Sequence, residues 1–237
     1  MEITDDIKSM LSSEVQEMLE AGIHFGHRKS HRHPKMEPYI FTVRGNVEII
    51  DVTKTVEYLA RACDFLEEKA KNNGMILFVA TRPHVKDIIQ EYATACDMPF
   101  VKERWFGGTF TNFKVMSKRL ENFKELERQL QSGELGKYTK QEQVRFKRQI
   151  TKLNLSLGGL KAMTRKPDAL ILASLKHDDI AAVEALKLKI PIIAITDTNV
   201  DPSKIQFPIP ANDDAVSSVR YIMSKLSAAI ERGKKNK

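Results

Sequence analysis

The chain is poor in the features that mark a secreted, membrane or metal-stapled protein. Its 237 residues include only two cysteines, Cys63 and Cys96. Both fall within helical patterns and lack metal-ligand spacing, so they read as buried, reduced thiols. Long apolar runs are also missing. The longest, Met75 to Ala80, Ala169 to Ala173 and Ile190 to Ile195, are strand-sized, whereas a membrane span needs roughly 20 residues. The acidic start, Met1-Glu-Ile-Thr-Asp-Asp, has no apolar run behind it, and no secretory signal is expected. The expected compartment is the cytoplasm, with no membrane partner.

Catalytic signatures are absent too. There is no G-x-G-x-x-G after a strand, no G-x-x-x-x-G-K-[ST] and no nucleophile elbow. No cofactor, catalytic residue or small-molecule substrate is expected. Asp197 and Asp201 could pair for acid/base work or bind a cation, but Asp197-Thr198-Asn199 and Asp201-Pro202 read better as loop caps and turn starters. His24-x-x-His27 and His31-x-His33 have a spacing that zinc tolerates, with Asp197 or Asp201 as further ligands. No cysteine lies near them, so packing or phosphate hydrogen bonding is the preferred reading and no metal is expected.

What the sequence does have is an alternation of buried strands and amphipathic helices. A short helix is expected from about Glu14 to Ala21, opened by a capping-box spacing at Ser13 to Gln16 and closed by Gly22. Gly22 to Pro38 reads as irregular. Tyr39 to Arg44 and Val47 to Asp51 read as a hairpin around Gly45-Asn46. A helix follows to about Lys71, then a strand at Met75 to Ala80. Thr81-Arg82-Pro83 is expected to open a helix to about Cys96, with Pro83 near its first turn. Further strands are expected at Pro99 to Glu103, Asp168 to Ser174 and Pro191 to Thr196, with a short one at Ile205 to Ile209. A helix opened by Asp178 or Asp179 runs to about Leu188. Asn212-Asp213-Asp214 is expected to cap a last helix to about Glu231, followed by a frayed basic tail. The fold class is α/β, with a doubly wound (Rossmann-like), mostly parallel sheet and helices on both faces.

One segment interrupts this pattern. Between Lys114 and Lys161, twelve Lys/Arg face five Glu, an excess of +7 that equals the net charge of the whole chain. Leu120, Phe123, Leu126 and Leu130 form one helical stripe, and Val144, Ile150, Leu153, Leu157 and Leu160 form another. Thr139 to Glu142 has capping-box spacing. This is an antiparallel helical hairpin, close to a coiled coil, expected to bury itself and project from the body. The organisation expected is an α/β domain over residues 1–113 and 162–237, interrupted by the basic hairpin at 114–161.

A neutral body with a basic arm suits a polyanionic partner. Phosphate contacts supply affinity, and aromatics or arginine planes stack on unpaired bases. Candidates are Arg28, Lys29, Arg32 and Lys35 in the first loop and Arg104, Trp105, Phe110 and Phe113 where the hairpin begins. The hairpin adds Lys114, Lys118, Arg119, Arg145, Lys147 and Arg148. For Trp105 and Phe106, packing at the joint between arm and sheet competes with stacking, and Gly107-Gly108 would make the turn there. Two other readings stay open on these residues: an enzyme using Thr81, Ser174 and the Gly107-Gly108 turn, and an adaptor whose hairpin binds an acidic protein.

A set of motifs in fixed order narrows the choice. They are Gly22-Ile-His-Phe-Gly-His27, Pro34-Lys35-Met36, Ile49-Ile50-Asp51 with Lys54-Thr55, and Ile76 to Thr81. Then come Arg104-Trp-Phe-Gly-Gly108, Thr111-Asn112, Ser156-Leu-Gly-Gly159 and Pro167-Asp168-Ala169. The last are Asp197-Thr-Asn199 with Asp201-Pro202, and Asn212-Asp-Asp-Ala215. Over nearly its whole length the chain resembles the bacterial small-subunit ribosomal protein S2 family. It departs at His33, at Ala162 to Lys166, at Ala211 and in its short tail. The resemblance implies a flavodoxin-like sheet with a protruding coiled-coil hairpin and a structural, non-catalytic role on the small ribosomal subunit. It implies contacts with 16S rRNA, late joining during assembly at the junction of head and body, and neighbours that include the large OB-domain protein that captures mRNA.

Overall fold

A computed structural model describes residues 13–236; the acidic start lies outside the described residues. Residues 13–20 form helix α1. Ser13 is already helical, so it is not the expected N-cap. The helix closes as foreseen at Gly22, whose φ of 73° is left-handed. Ile23 N donates to Met18 O and Gly22 N to Leu19 O, the paired bonds of a Schellman ending.

The stretch after Gly22 is more ordered than its composition indicates. It holds strand β1 (Phe25–Arg28) and two 3-10 turns, Lys29–His31 and Pro34–Tyr39. With β2 (Ile40–Arg44) and β3 (Val47–Ile50), β1 makes a small antiparallel sheet in the order β1-β3-β2. Gly26 permits this. A Cβ there would sit 2.5 Å from Thr198 Cγ2 and 3.1 Å from Glu48 O. The β2–β3 hairpin forms where expected, with positive φ at both Gly45 and Asn46, the requirement of a type I′ turn.

Helix α2 (Val52–Lys71) is capped by Asp51, which accepts from Thr53 N at 3.1 Å. Five parallel strands follow: β4 (Ile76–Val79), β5 (Phe100–Val101), β6 (Ala169–Leu172), β7 (Ile192–Thr196) and β8 (Phe207–Pro210). Their spatial order is β5-β4-β6-β7-β8. This is the flavodoxin-like arrangement, with the order reversing beside β4. The strands are continuous apolar runs because both faces are covered. Ile76 and Phe78 of β4 belong to a core with α2, α3 (Lys86–Ala95) and α7 (Val216–Lys235). Leu77 and Val79 point the other way, into a core with α6 (Asp179–Lys187) and the hairpin helices α4 (Phe113–Gln131) and α5 (Lys140–Leu157). Each such side chain, fully buried, contributes roughly 1.5–3 kcal/mol.

Both sheet edges are blunted against further pairing. β8 carries Pro208 and Pro210. At the other edge Gly159 presses on β5 so closely that a Cβ would collide with Phe100 O.

Several boundaries differ from expectation. α3 begins only at Lys86, after a turn in which Val85 and Lys86 donate to Arg82 O, so Pro83 belongs to the turn rather than to the helix. Asn212 does not cap α7 directly. Its Oδ1 accepts from Asp214 N and Ala215 N, shaping the turn before Ala215, the actual N-cap. The basic tail continues α7 to Lys235 instead of fraying. The hairpin forms with the foreseen capping box at Thr139 and Glu142. It does not bury itself alone. Met116, Leu120, Phe123, Leu157 and Leu160 join the core on the sheet, and only the distal half relies on Leu126, Leu130, Phe146, Ile150 and Leu153.

Candidate nucleic-acid interface

The segment between β5 and α4 is held by a buried carboxylate that sequence reasoning did not single out. Glu184 of α6 is 6% exposed. Its Oε1 accepts from Trp105 Nε1 (3.1 Å) and Gly108 N (2.7 Å). Its Oε2 accepts from Phe110 N (2.9 Å), Thr111 N (3.0 Å) and Thr111 Oγ1 (3.1 Å). Burial alone would raise the Glu184 pKa, but the backbone donors and Trp105 bring it below the usual value. Gly108, at φ 91°, takes the left-handed conformation that lets these amides converge, while Gly107 keeps ordinary backbone angles. The glycine turn therefore does cradle an anion, and that anion is the protein's own. Trp105 and Phe110 are buried edge to face, 4.8 Å between ring centroids, so neither ring is open to a base. Phe106 is half-buried and lies under the Arg119 guanidinium at 5.1 Å. Arg104 is exposed. The one sequence signal for Glu184 is an acid set among Ala181, Ala182 and Ala185.

The cations of the arm are mostly unpaired. Among the described residues of 114–161, Arg128 pairs with Glu125 and Glu134, and Lys161 with Glu127. Lys114, Lys118 and Arg119 on α4 form no ion pair, and neither do Arg145, Lys147 and Arg148 on α5; all six are exposed. The first loop divides differently. Arg28 and Lys29 are exposed and form no ion pair among the described residues. Arg32 lies 3.4 Å from buried Glu48 and 3.8 Å from Glu37. Lys35 reaches Asp201 at 2.8 Å and Ser203 Oγ at 2.7 Å. The Lys35 ammonium and Ser203 hold the Asp201 carboxyl well below the usual carboxylate range.

The carboxyl ends of the parallel strands gather a second polar cluster. His27 Nδ1 is 3.1 Å from Asp197, and Nε2 is 3.5 Å from Asp214. The hydrogen bond to Asp197 raises the His27 pKa against the effect of burial. Arg82 bonds Asp213 at 3.3 Å and also pairs with Asp214. Ser174 Oγ donates to Asp213 Oδ2 at 2.5 Å. Thr81 donates through N (3.2 Å) and Oγ1 (2.7 Å) to Asp178. That last pair bridges β4 and α6 at the point where strand order reverses, where this fold ordinarily keeps its ligand crevice. The hydroxyls of Thr81 and Ser174 are both committed to carboxylates, and Gly108 is committed to Glu184. Thr81 and Ser174 lie side by side past the ends of β4 and β6, joined through Asp178, which accepts from Thr81 and whose amide donates to Ser174 O.

Among the described residues, one set of potential metal ligands converges: His27, Asp197 and Asp214, with ligand atoms within 4.8 Å of one another. Asp214 presents Oδ2 to this set, 3.5 Å from His27 Nε2, while its Oδ1 pairs with Arg82. Of the weaker candidates, Asp201 is held by Lys35, and His24 is packed on Phe25 with ring centroids 4.0 Å apart. Neither joins the set.

A flavodoxin-like body thus carries an arm most of whose cations form no ion pair among the described residues. Residues 18–233 match the family model described as Ribosomal protein S2. The chain belongs to that family. Membership makes it a structural protein of the small ribosomal subunit that acts in translation alongside rRNA and other ribosomal proteins. Among the described residues no helix is long and apolar enough to cross a membrane.

Proposed function

We propose that this protein binds 16S rRNA on the cytoplasmic ribosome through cations that form no ion pair among the described residues. Lys114, Lys118 and Arg119 at the base of the arm, with Arg104, Arg28 and Lys29, make the direct phosphate contacts. Arg145, Lys147 and Arg148 extend the positive field along α5. Arg32 and Lys35 hold the first loop in shape. The observation that carries the reading is the contrast between the ion pairing of the body and the unpaired charge of the arm. Such charge gives affinity that falls steeply with salt as neutralised phosphates release counterions.

The protein also meets neighbouring proteins of the small subunit during late assembly. The resemblance implies that one of them is the mRNA-capturing OB-domain protein. Phe41, 73% exposed on edge strand β2, with Val43 on the same strand, supports a protein neighbour at that end of the molecule. The test is sucrose-gradient sedimentation of the full chain with small subunits. The protein is expected in the subunit peak at low salt and in the soluble fractions at high salt. If it stays soluble at low salt, the reading fails.

A further inference from the structure

We propose that the outer face of α5 docks an acidic amphipathic helix of a neighbouring protein. α5 carries two seams at heptad spacing, the inner one apolar throughout and the outer one apolar at its two ends. The inner one, Phe146, Ile150, Leu153 and Leu157, packs within the arm and onto the sheet. The outer one runs Val144, Arg148, Thr151, Leu155, with the same four-three-four spacing, on the opposite side of the helix. Val144 is 48% exposed and Leu155 is 58% exposed. They close the two ends of a shallow depression of about 370 Å³ lined by Val144, Lys147, Arg148, Thr151, Lys152 and Leu155. The seam spans roughly 16 Å, three turns of a partner helix.

Charge and chemistry set the occupant. The depression is rimmed by Lys147, Arg148 and Lys152, none of which forms an ion pair among the described residues. The single acid of α5, Glu142, is on the capping box, where its carboxylate accepts from Thr139 N (3.0 Å) and Oγ1 (2.9 Å). A partner lying here meets positive charge on its flanks, so its own flanks are acidic. Nucleic acid is favoured less on this strip. Bases stack on aromatic rings, and the ring in this part of α5, Phe146, is on the inner seam, edge-on to Tyr138 at 5.2 Å. Aliphatic knobs at heptad spacing between lysines are the surface a helix packs against. The direct phosphate contacts of the rRNA reading lie on α4, Arg104 and the first loop; Lys147 and Arg148, which that reading uses only for their field along α5, are shared with this surface.

The test uses the full chain and a synthetic helix of three heptads, with Leu at a and d and Glu at e and g. Binding is read by fluorescence anisotropy, and a Lys-flanked version serves as control. Micromolar binding of the Glu helix alone is expected. The Val144→Ser/Leu155→Ser variant should weaken it by roughly tenfold or more without changing rRNA affinity. No binding of the Glu helix, or equal binding by the variant, overturns the proposal. A second measurement places a benzophenone on Leu155→Cys in assembled small subunits. Cys63 and Cys96 will not compete for the label, because burial pushes both thiols up to about 11. A cross-link to an acidic helical segment of a protein supports the proposal. A cross-link to rRNA, or none, overturns it.

Discussion

The carboxyl edge of the sheet and the hairpin arm treat charge in opposite ways. At the sheet edge, His27 sits between Asp197 and Asp214, and Arg82 between Asp213 and Asp214. Thr81 holds one further aspartate, Asp178, and Ser174 holds Asp213 as well. Charge there is spent on joining strands and loops. On the arm, ten of the twelve basic residues between Lys114 and Lys161 form no ion pair among the described residues. Charge left open in this way is available to an external partner of opposite sign. The position of the chemistry follows from this contrast. On the proposed rRNA-binding reading, recognition lies on the insertion rather than in the crevice that this fold commonly uses for ligands.

The sharpest break in the contrast is Glu184, because it ties the arm to the body. Glu184→Ala leaves Trp105 Nε1 and three backbone amides without their acceptor, with Trp105 and Phe110 buried. The expected loss is about 3–5 kcal/mol, read by urea unfolding with Trp105, the single tryptophan, as the fluorescence probe. Glu184→Gln should lose less, since one carbonyl oxygen still accepts. A loss below about 1 kcal/mol for Glu184→Ala would show that the loop is held by packing alone.

Next in size is charge reversal on the arm. Lys114→Glu, Lys118→Glu and Arg119→Glu together should weaken rRNA binding on the order of a hundredfold. They should also lower the salt slope by about 0.9 for each lost phosphate contact. Unfolding stability should stay within about 0.5 kcal/mol, because exposed unpaired cations contribute little to folding. Unchanged affinity in a filter-binding titration would remove the base of the arm from the RNA-binding surface.

A smaller effect tests the body. Burial pushes Asp178 well above its usual 3.8, to about 6, despite its bonds from Thr81. A carboxyl raised in the folded state carries no penalty below the unfolded value. The penalty grows between about pH 4 and pH 6 and is constant above, at no more than about 3 kcal/mol. Asp178→Asn keeps an acceptor for Thr81 and cannot ionise. Relative to wild type it should therefore gain about 1–2 kcal/mol of stability on going from pH 4 to pH 8. A difference that does not change with pH in parallel denaturant titrations would show that Asp178 is not buried as a charge.

How much of this was legible in the sequence depends on the range of the interaction. Strand positions were legible because β4, β6 and β7 are apolar on both faces, and the arm because the Thr139–Glu142 capping box and the helical stripes are local signals. The Gly45-Asn46 turn is local too. Other features needed partners distant in sequence. Glu184 reads as one more acid on a short helix until Trp105 to Thr111 folds over it. β1 was hidden because four residues with two of them half-exposed give too little alternation. Asp178, distant in sequence, holds the Thr81 amide just before the Pro83 turn. The candidate cations were all visible as residue types, but nothing local told the free ones from the paired ones.

Lys35 is where that last distinction can be tested most finely. By sequence it equals Lys29: a lysine in a basic loop. In the fold, Lys35 Nζ is held by Asp201 and Ser203, residues that also close the 3-10 turn after β7, where Ser203 N donates to Asp201 Oδ1 at 3.0 Å. Taking a phosphate would cost Lys35 that pair, so its net contribution to RNA affinity is small. Lys35→Ala should change rRNA affinity less than about twofold, with the salt slope unchanged. Lys29→Ala should cost about threefold and lower the slope by about one contact. Because the Lys35–Asp201 pair is exposed, its loss should cost the fold less than about 1 kcal/mol. If the two alanine variants lose equal affinity, the pairing in the loop does not govern which cations meet RNA. The contrast between closed body and open arm would then hold only for the arm.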